Sequence, residues 1–196
     1  MQAIETHLDL SHLRFDPELT PGANNAVNVC LRIEPHEKVT VITDLASKEI
    51  AASIVHELDV RGLNYHAYVL EELAPRPLVH LPQEILDDME TSDVSIFAVE
   101  VQRNELKSRM EMTDVVNRRK MRHAHMVNIN RQIMLEGMRA DFLKVDRLSK
   151  KVLDIVSRAK VVTARTAKGT EMRADMSPDY KWLKTSGIIS REKWGN

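Results

Sequence analysis

Cysteine is nearly missing from this chain: Cys30 is the only one among 196 residues. A lone thiol cannot form an intramolecular disulfide or a cysteine zinc cluster, and it fits a reducing compartment. Glycine is scarce as well, with Gly22, Gly62, Gly137, Gly169, Gly187 and Gly195 as the full set. Their spacing produces neither Gly-x-Gly-x-x-Gly nor a Gly-Lys-Ser/Thr phosphate loop, where glycine lets the backbone approach a phosphate, so nucleotide chemistry is not expected. Apolar runs are short: Val94 to Val99 is among the longest, far below the roughly 20 residues that span a bilayer. Met1 to Leu10 carries Glu5, His7 and Asp9 and lacks the basic start and apolar core of a signal peptide. Charge of one sign is missing too, since 28 basic residues face 29 acidic ones, leaving no whole-molecule field for nucleic acid or an anionic membrane. The expectation is a cytoplasmic protein with neither a membrane nor a nucleic-acid partner.

What is present alternates. Lys38 to Thr43 is a β-branched run that reads as a buried strand, and Ile50, Ile54, Val55 and Leu58 follow at helical spacing, with Gly62 as the stop. Asn64 to Leu70 reads as a second strand. Pro75, Pro77 and Pro82 then punctuate a loop before the amphipathic set Leu81, Ile85, Leu86 and Met89. Val94 to Val99 reads as a central strand covered on both faces. Beyond it, Thr113 to Arg122 looks helical, Met126 to Ile129 reads as a short strand, and Val145, Leu148, Val152, Ile155 and Val156 mark a long amphipathic helix. Val161 to Thr166 and Glu171 to Met176 flank a turn that uses Gly169, which predicts a hairpin. Pro21 to Ile33 is expected to be a leading helix. The predicted class is α/β, Rossmann-like or flavodoxin-like, a mostly parallel sheet with helices on both faces and a C-terminal β-hairpin. One domain over 1–196 is expected, with about 1–35 as lead-in and about 160–196 as hairpin and tail.

Ligands of open parallel sheets sit beyond the carboxyl ends of the strands, which makes Asp44, Glu71, Glu72, Glu100 and Asn128 the positional candidates. Asp44 also lies where a helix cap belongs, and capping is the preferred reading. His123 and His125 form a His-x-His pair that a strand would point to one face, making them weak metal candidates. His36, His56, His66 and His80 are scattered and rank lower. Arg118, Arg119, Lys120 and Arg122 form a basic run without interleaved aromatics, read as a solvated helix with an Asp114–Arg118 ion pair. No serine sits in a nucleophile elbow, and Cys30 lies in apolar company.

The tail carries more. It reads Thr166-Ala-Lys168-Gly169-Thr170-Glu171, then Trp182-Leu-Lys-Thr-Ser-Gly187-Ile-Ile, then Glu192-Lys-Trp194-Gly195-Asn196. This order resembles the middle of the leucyl aminopeptidase and aminopeptidase T family, where a Gly-Thr-Asp/Glu turn precedes Trp-Gly-Asn-Leu-Pro-x-Gly-Glu. Arg119-Lys-Met121-Arg-His-Ala-His125-Met126, Gly137-Met-Arg-Ala-Asp141 and the strand ending Thr43-Asp44 are similar to that family's N-terminal domain.

The resemblance implies an α/β N-terminal domain followed by a C-terminal domain that binds two divalent metals, of the zinc, cobalt or manganese type, through glutamate, histidine and aspartate. The first of those ligands would lie in the Leu-Pro-x-Gly-Glu segment, beyond Asn196, so no family ligand maps onto this chain. It is expected to bind no cofactor and to hydrolyse no peptide alone, acting on a peptide substrate only together with the metal-binding domain. Lys168, Gly169, Thr170 and Asp44 are the weak candidates for the substrate cleft, and a homodimer is compatible with the family. The alternatives are a related ferrous-dependent dioxygenase that opens dihydroxypyridine rings, and a non-catalytic binding or assembly module.

Overall fold

A computed structural model describes residues 8–190. The Trp194-Gly195-Asn196 ending lies outside the described residues. The chain divides into two compact units, Met1–Ala140 with Ile189–Asn196, and Asp141–Ile188.

The first unit opens with α1 (Thr20–Asn24), which runs on as a π-helical turn to Cys30 rather than as one α-helix over 21–33. Strand β1 (Lys38–Thr43), helix α2 (Lys48–Val60) and strand β2 (Asn64–Val69) follow, then the single turn α3 (Leu70–Leu73), helix α4 (Gln83–Thr91) and strand β3 (Val94–Val99). Helix α5 (Leu106–Arg119), strand β4 (Arg122–Val127) and the short α6 (Arg131–Leu135) complete it. All strand pairs are parallel, in the order β2-β1-β3-β4, the order that begins a flavodoxin-like sheet. The α/β class with helices on both faces is as expected.

Alternation along β1 explains the two layers. Val39 and Val41 face one core with Ile50, Ile54 and Leu58 of α2, whereas Ile42 faces the other, with Ile85 and Met89 of α4 and Met112 and Val116 of α5. Gly62, at φ +62°, ends the chain's course after α2 in a left-handed conformation.

Three local expectations need correction. Helix α5 starts seven residues before Thr113, and it stops at Arg119 because Lys120 turns left-handed at φ 53°. The fourth strand is Arg122–Val127, not Met126–Ile129; buried Arg122 and His123 open it and His125 follows, so the apolar alternation that marks a strand is hidden. Arg118 pairs with Glu90 of α4 instead of Asp114, and Arg122 is buried, donating to Glu37 and to the Leu31 and Arg32 carbonyls.

The second unit holds α7 (Phe142–Val156) and the antiparallel hairpin of β5 (Val161–Arg165) and β6 (Glu171–Asp175). Gly169 sits in its turn at φ +96°, as its position predicted. No helix among the described residues is long and apolar enough to cross a membrane.

Candidate functional site

The carboxyl ends of β1 and β3, where the strand order reverses, form the crevice in which such sheets hold ligands. Here a guanidinium fills it. Arg76, flanked by Pro75 and Pro77, donates through Nη1 to Asp44 Oδ2 at 2.6 Å and to Glu71 Oε1 at 3.3 Å. It also reaches Glu105 Oε1 through Nε at 2.8 Å, and through Nη2 it bonds Glu105 Oε2 at 2.5 Å and the Glu100 carbonyl at 2.7 Å. Asp44 is wholly buried, and its remaining bonds come from the Ser47 and Glu100 backbone N–H groups. It thus closes the turn before α2 and anchors Arg76, but it does not cap the helix as expected: the cap position is Ser47, three residues on, and no side chain caps α2. Burial works against the charge on Glu105, but Arg76 and the N–H groups of Leu78 and Gln102 outweigh it and hold that carboxyl at about 2. Such a network is saturated: it locks three connecting loops to the strand ends.

Of the other positional candidates, Glu71 accepts from the Leu45 N–H and Glu72 from the Leu8 N–H. Asn128 accepts from the Val101 N–H. Each fastens one loop to another.

The register of the sheet lines up His66, Thr40, Ser95 and His123 in a single cross-strand row on the α4–α5 face. At one end, His123 Nδ1 lies 2.7 Å from Ser95 Oγ, and its Nε2 lies 3.0 Å from His125 Nδ1. The His125 ring stacks on Phe97 with centroids 5.5 Å apart. Burial, with His125 adding to it, pushes His123 down to about 3, and burial with Arg109 nearby lowers His125. The strand does turn both imidazoles to one face, but as a pair of neutral rings bonded to each other.

At the other end of the row, His66 Nδ1 lies 2.5 Å from Asp88 Oδ1. Asp88 is buried on α4 and held by Thr40 Oγ1 at 2.6 Å and Lys38 Nζ at 2.7 Å. Burial opposes its charge, but the bonds from Lys38, Thr40 and His66 prevail and lower its pKa. His66 itself is half exposed and lines a cleft of about 620 Å³ with Tyr65, Tyr68, Glu84 and Leu8 to Ser11. A buried carboxylate that orients an imidazole is the arrangement of a positioned base. Among the described residues that line the cleft, the Ser11 hydroxyl donates to Asp9 and the Tyr65 hydroxyl to Asp59.

Lys168, Gly169 and Thr170 lie exposed at the hairpin tip, far in sequence from these groups and in the second unit. The described residues contain one group of three side chains spaced for a metal, Glu34, His36 and Glu37. Glu37 is already neutralised by Arg122, so this group does not fit a two-metal centre. Sequence reasoning missed Arg76, Glu105 and the His66–Asp88 pair. A charged residue between two prolines, just after Glu71-Glu72, was the one available signal for Arg76. In comparison with known proteins, no family model matches the chain, and no curated sequence matches it.

Proposed function

We propose that this chain supplies the N-terminal α/β domain, and the start of a second domain, of a metal-dependent aminopeptidase, and that it hydrolyses no peptide by itself. The support is the open apolar face of α7. None of its 15 residues is buried, and Leu143, Val145, Leu148, Val152 and Ile155 are between 38% and 67% exposed. A helical stripe of this kind gains most of its stability from what packs on it. The accompanying hairpin has no buried residue either, and a two-stranded hairpin alone is marginal in water. Leu148 and Val152 instead border an apolar groove with Trp182 and Leu183.

Of the segments similar to the aminopeptidase family, Thr166–Glu171 and all of Trp182–Ile189 but its last residue belong to this second unit, while Thr43-Asp44 and Arg119–Met126 belong to the first. Further polypeptide of the same protein then covers α7 and brings the carboxylate and imidazole ligands. Two metals held there would activate water and stabilise the tetrahedral oxyanion. The Arg76 network agrees with this division of labour, since it makes the crevice of the sheet a scaffold rather than a substrate site.

The test compares the 196-residue chain with the product of the gene's full reading frame, using aminoacyl p-nitroanilides with added zinc, cobalt or manganese. Metal-dependent turnover by the longer protein and none by the 196-residue chain is expected. Turnover by the short chain, or a longer protein without peptidase activity, overturns the proposal. Ferrous-dependent ring opening of a dihydroxypyridine by the longer protein would move it to the dioxygenase branch.

A further inference from the structure

The edge of the sheet at β2 carries a feature that peptide hydrolysis does not use. Among the described residues strand β2 ends the sheet, so half of its amide and carbonyl groups point away from β1. Among the described residues, no other backbone segment pairs with that outer side. The cleft of about 620 Å³ runs along this strand, bordered by four consecutive residues from Tyr65 to Tyr68. Its nine lining residues include the carboxylates Asp9 and Glu84 and no lysine or arginine. One further carboxylate stands behind the lining, Asp59, bonded to the Tyr65 hydroxyl at 2.8 Å, whereas Asp88, bonded to His66, already pairs with Lys38 Nζ at 2.7 Å. The field of these groups is felt by the phenols. Burial and then Asp88 and Glu84 push Tyr68 up to about 12, and burial and then Asp59 raise Tyr65.

Each feature selects for one kind of occupant. An open strand edge hydrogen-bonds an extended backbone whatever its sequence, while alternate side chains decide specificity. Two tyrosine rings among carboxylates favour cationic side chains, through charge and through ring faces. The Asp88 carboxylate, fixed by Lys38, Thr40 and His66, keeps the His66 ring in place on the floor of the cleft.

We infer that the β2 edge docks an extended peptide segment carrying lysine or arginine, which adds to the sheet as a fifth strand. This inference goes beyond the proposed function.

The probe is the blocked hexapeptide acetyl-Val-Lys-Val-Lys-Val-Lys-amide, which has no free N-terminus and so is no aminopeptidase substrate. Titration into the ¹⁵N-labelled 196-residue chain should give saturable amide shifts confined to Asn64–Val69 and the facing 8–11 segment. Affinity should fall about tenfold between 20 and 200 mM salt, as screened charge pairs require. The glutamate analogue should not bind, and Glu84→Lys, at an exposed position, should weaken the lysine peptide about tenfold with the circular dichroism spectrum unchanged. Equal binding of the two peptides, shifts elsewhere, or no shifts at millimolar peptide overturns the inference. So does concentration-dependent pairing of the same amides without peptide, which would make the occupant a second copy of the chain. Because the readout is binding by a blocked peptide, failure here leaves the aminopeptidase proposal standing.

Discussion

Helices α2 and α7 look alike as sequence patterns, and the structure treats them in opposite ways. Eight of the 13 residues of α2 are buried, with Ile54, Val55 and Leu58 wholly so, between the sheet and the lead-in helix. None of the 15 residues of α7 is buried, although its apolar stripe is the cleaner of the two. Periodicity thus announces that a face must be covered and says nothing of what covers it. In the first unit the cover lies within the same 140 residues. For α7 it does not.

The largest expected effect tests how tightly the first unit is closed. Arg76→Ala strands Asp44 and Glu105 as buried, unpaired carboxylates, and should cost about 3–5 kcal/mol in urea denaturation at neutral pH. A small loss would mean that the crevice is wetter and more open than the network suggests. Next, Ile54→Ala should cost about 3 kcal/mol through a cavity at a fully buried position.

A pH titration comes third and separates two groups. His123 has a folded pKa near 3 against about 6.5 when unfolded, so the unfolded chain takes up a proton that the fold refuses. Its contribution is complete above pH 6.5 and is lost as the pH falls towards 3, which amounts to about 2 kcal/mol by pH 5. Glu105 runs in a lower window: depressed to about 2, it stabilises above about pH 4.5 and loses that contribution only as the pH falls towards 2. Comparing urea midpoints at pH 7.5 and 5.0 should show a loss in the parent chain that His123→Asn largely abolishes. An unchanged difference would place the acid-sensitive group elsewhere.

The smallest effect sharpens the contrast most. Leu148→Ala, at a position 61% exposed, should change the stability of the 196-residue chain by less than about 0.5 kcal/mol. In a longer protein whose remaining polypeptide covers α7, the same substitution should cost about 2–4 kcal/mol. Equal costs in both would argue that nothing packs on this face.

Legibility followed the same division. Strands β1 and β3 were readable to the residue, because a buried central strand is a continuous run of apolar and β-branched side chains. Strand β4 was misplaced because its buried face holds His123 and His125, whose polarity hides the alternation. Asp44, Glu71 and Glu100 could be named from their places at strand ends. The groups that complete their chemistry, Arg76 and Glu105, meet across 29 residues of sequence, and beyond the two prolines around Arg76 nothing marks their destination.

The sequence by itself determined the alternation of strand and helix, the parallel α/β class, the hairpin turned by Gly169 and the amphipathic stripe of α7, because each is a matter of local conformation or short-range spacing. Only the tertiary structure decided that a guanidinium fills the crevice of the sheet, that His66, Thr40, Ser95 and His123 share one row, and that β2 borders an acidic cleft. Those facts depend on strand order and register, which bring together side chains that the chain itself holds far apart.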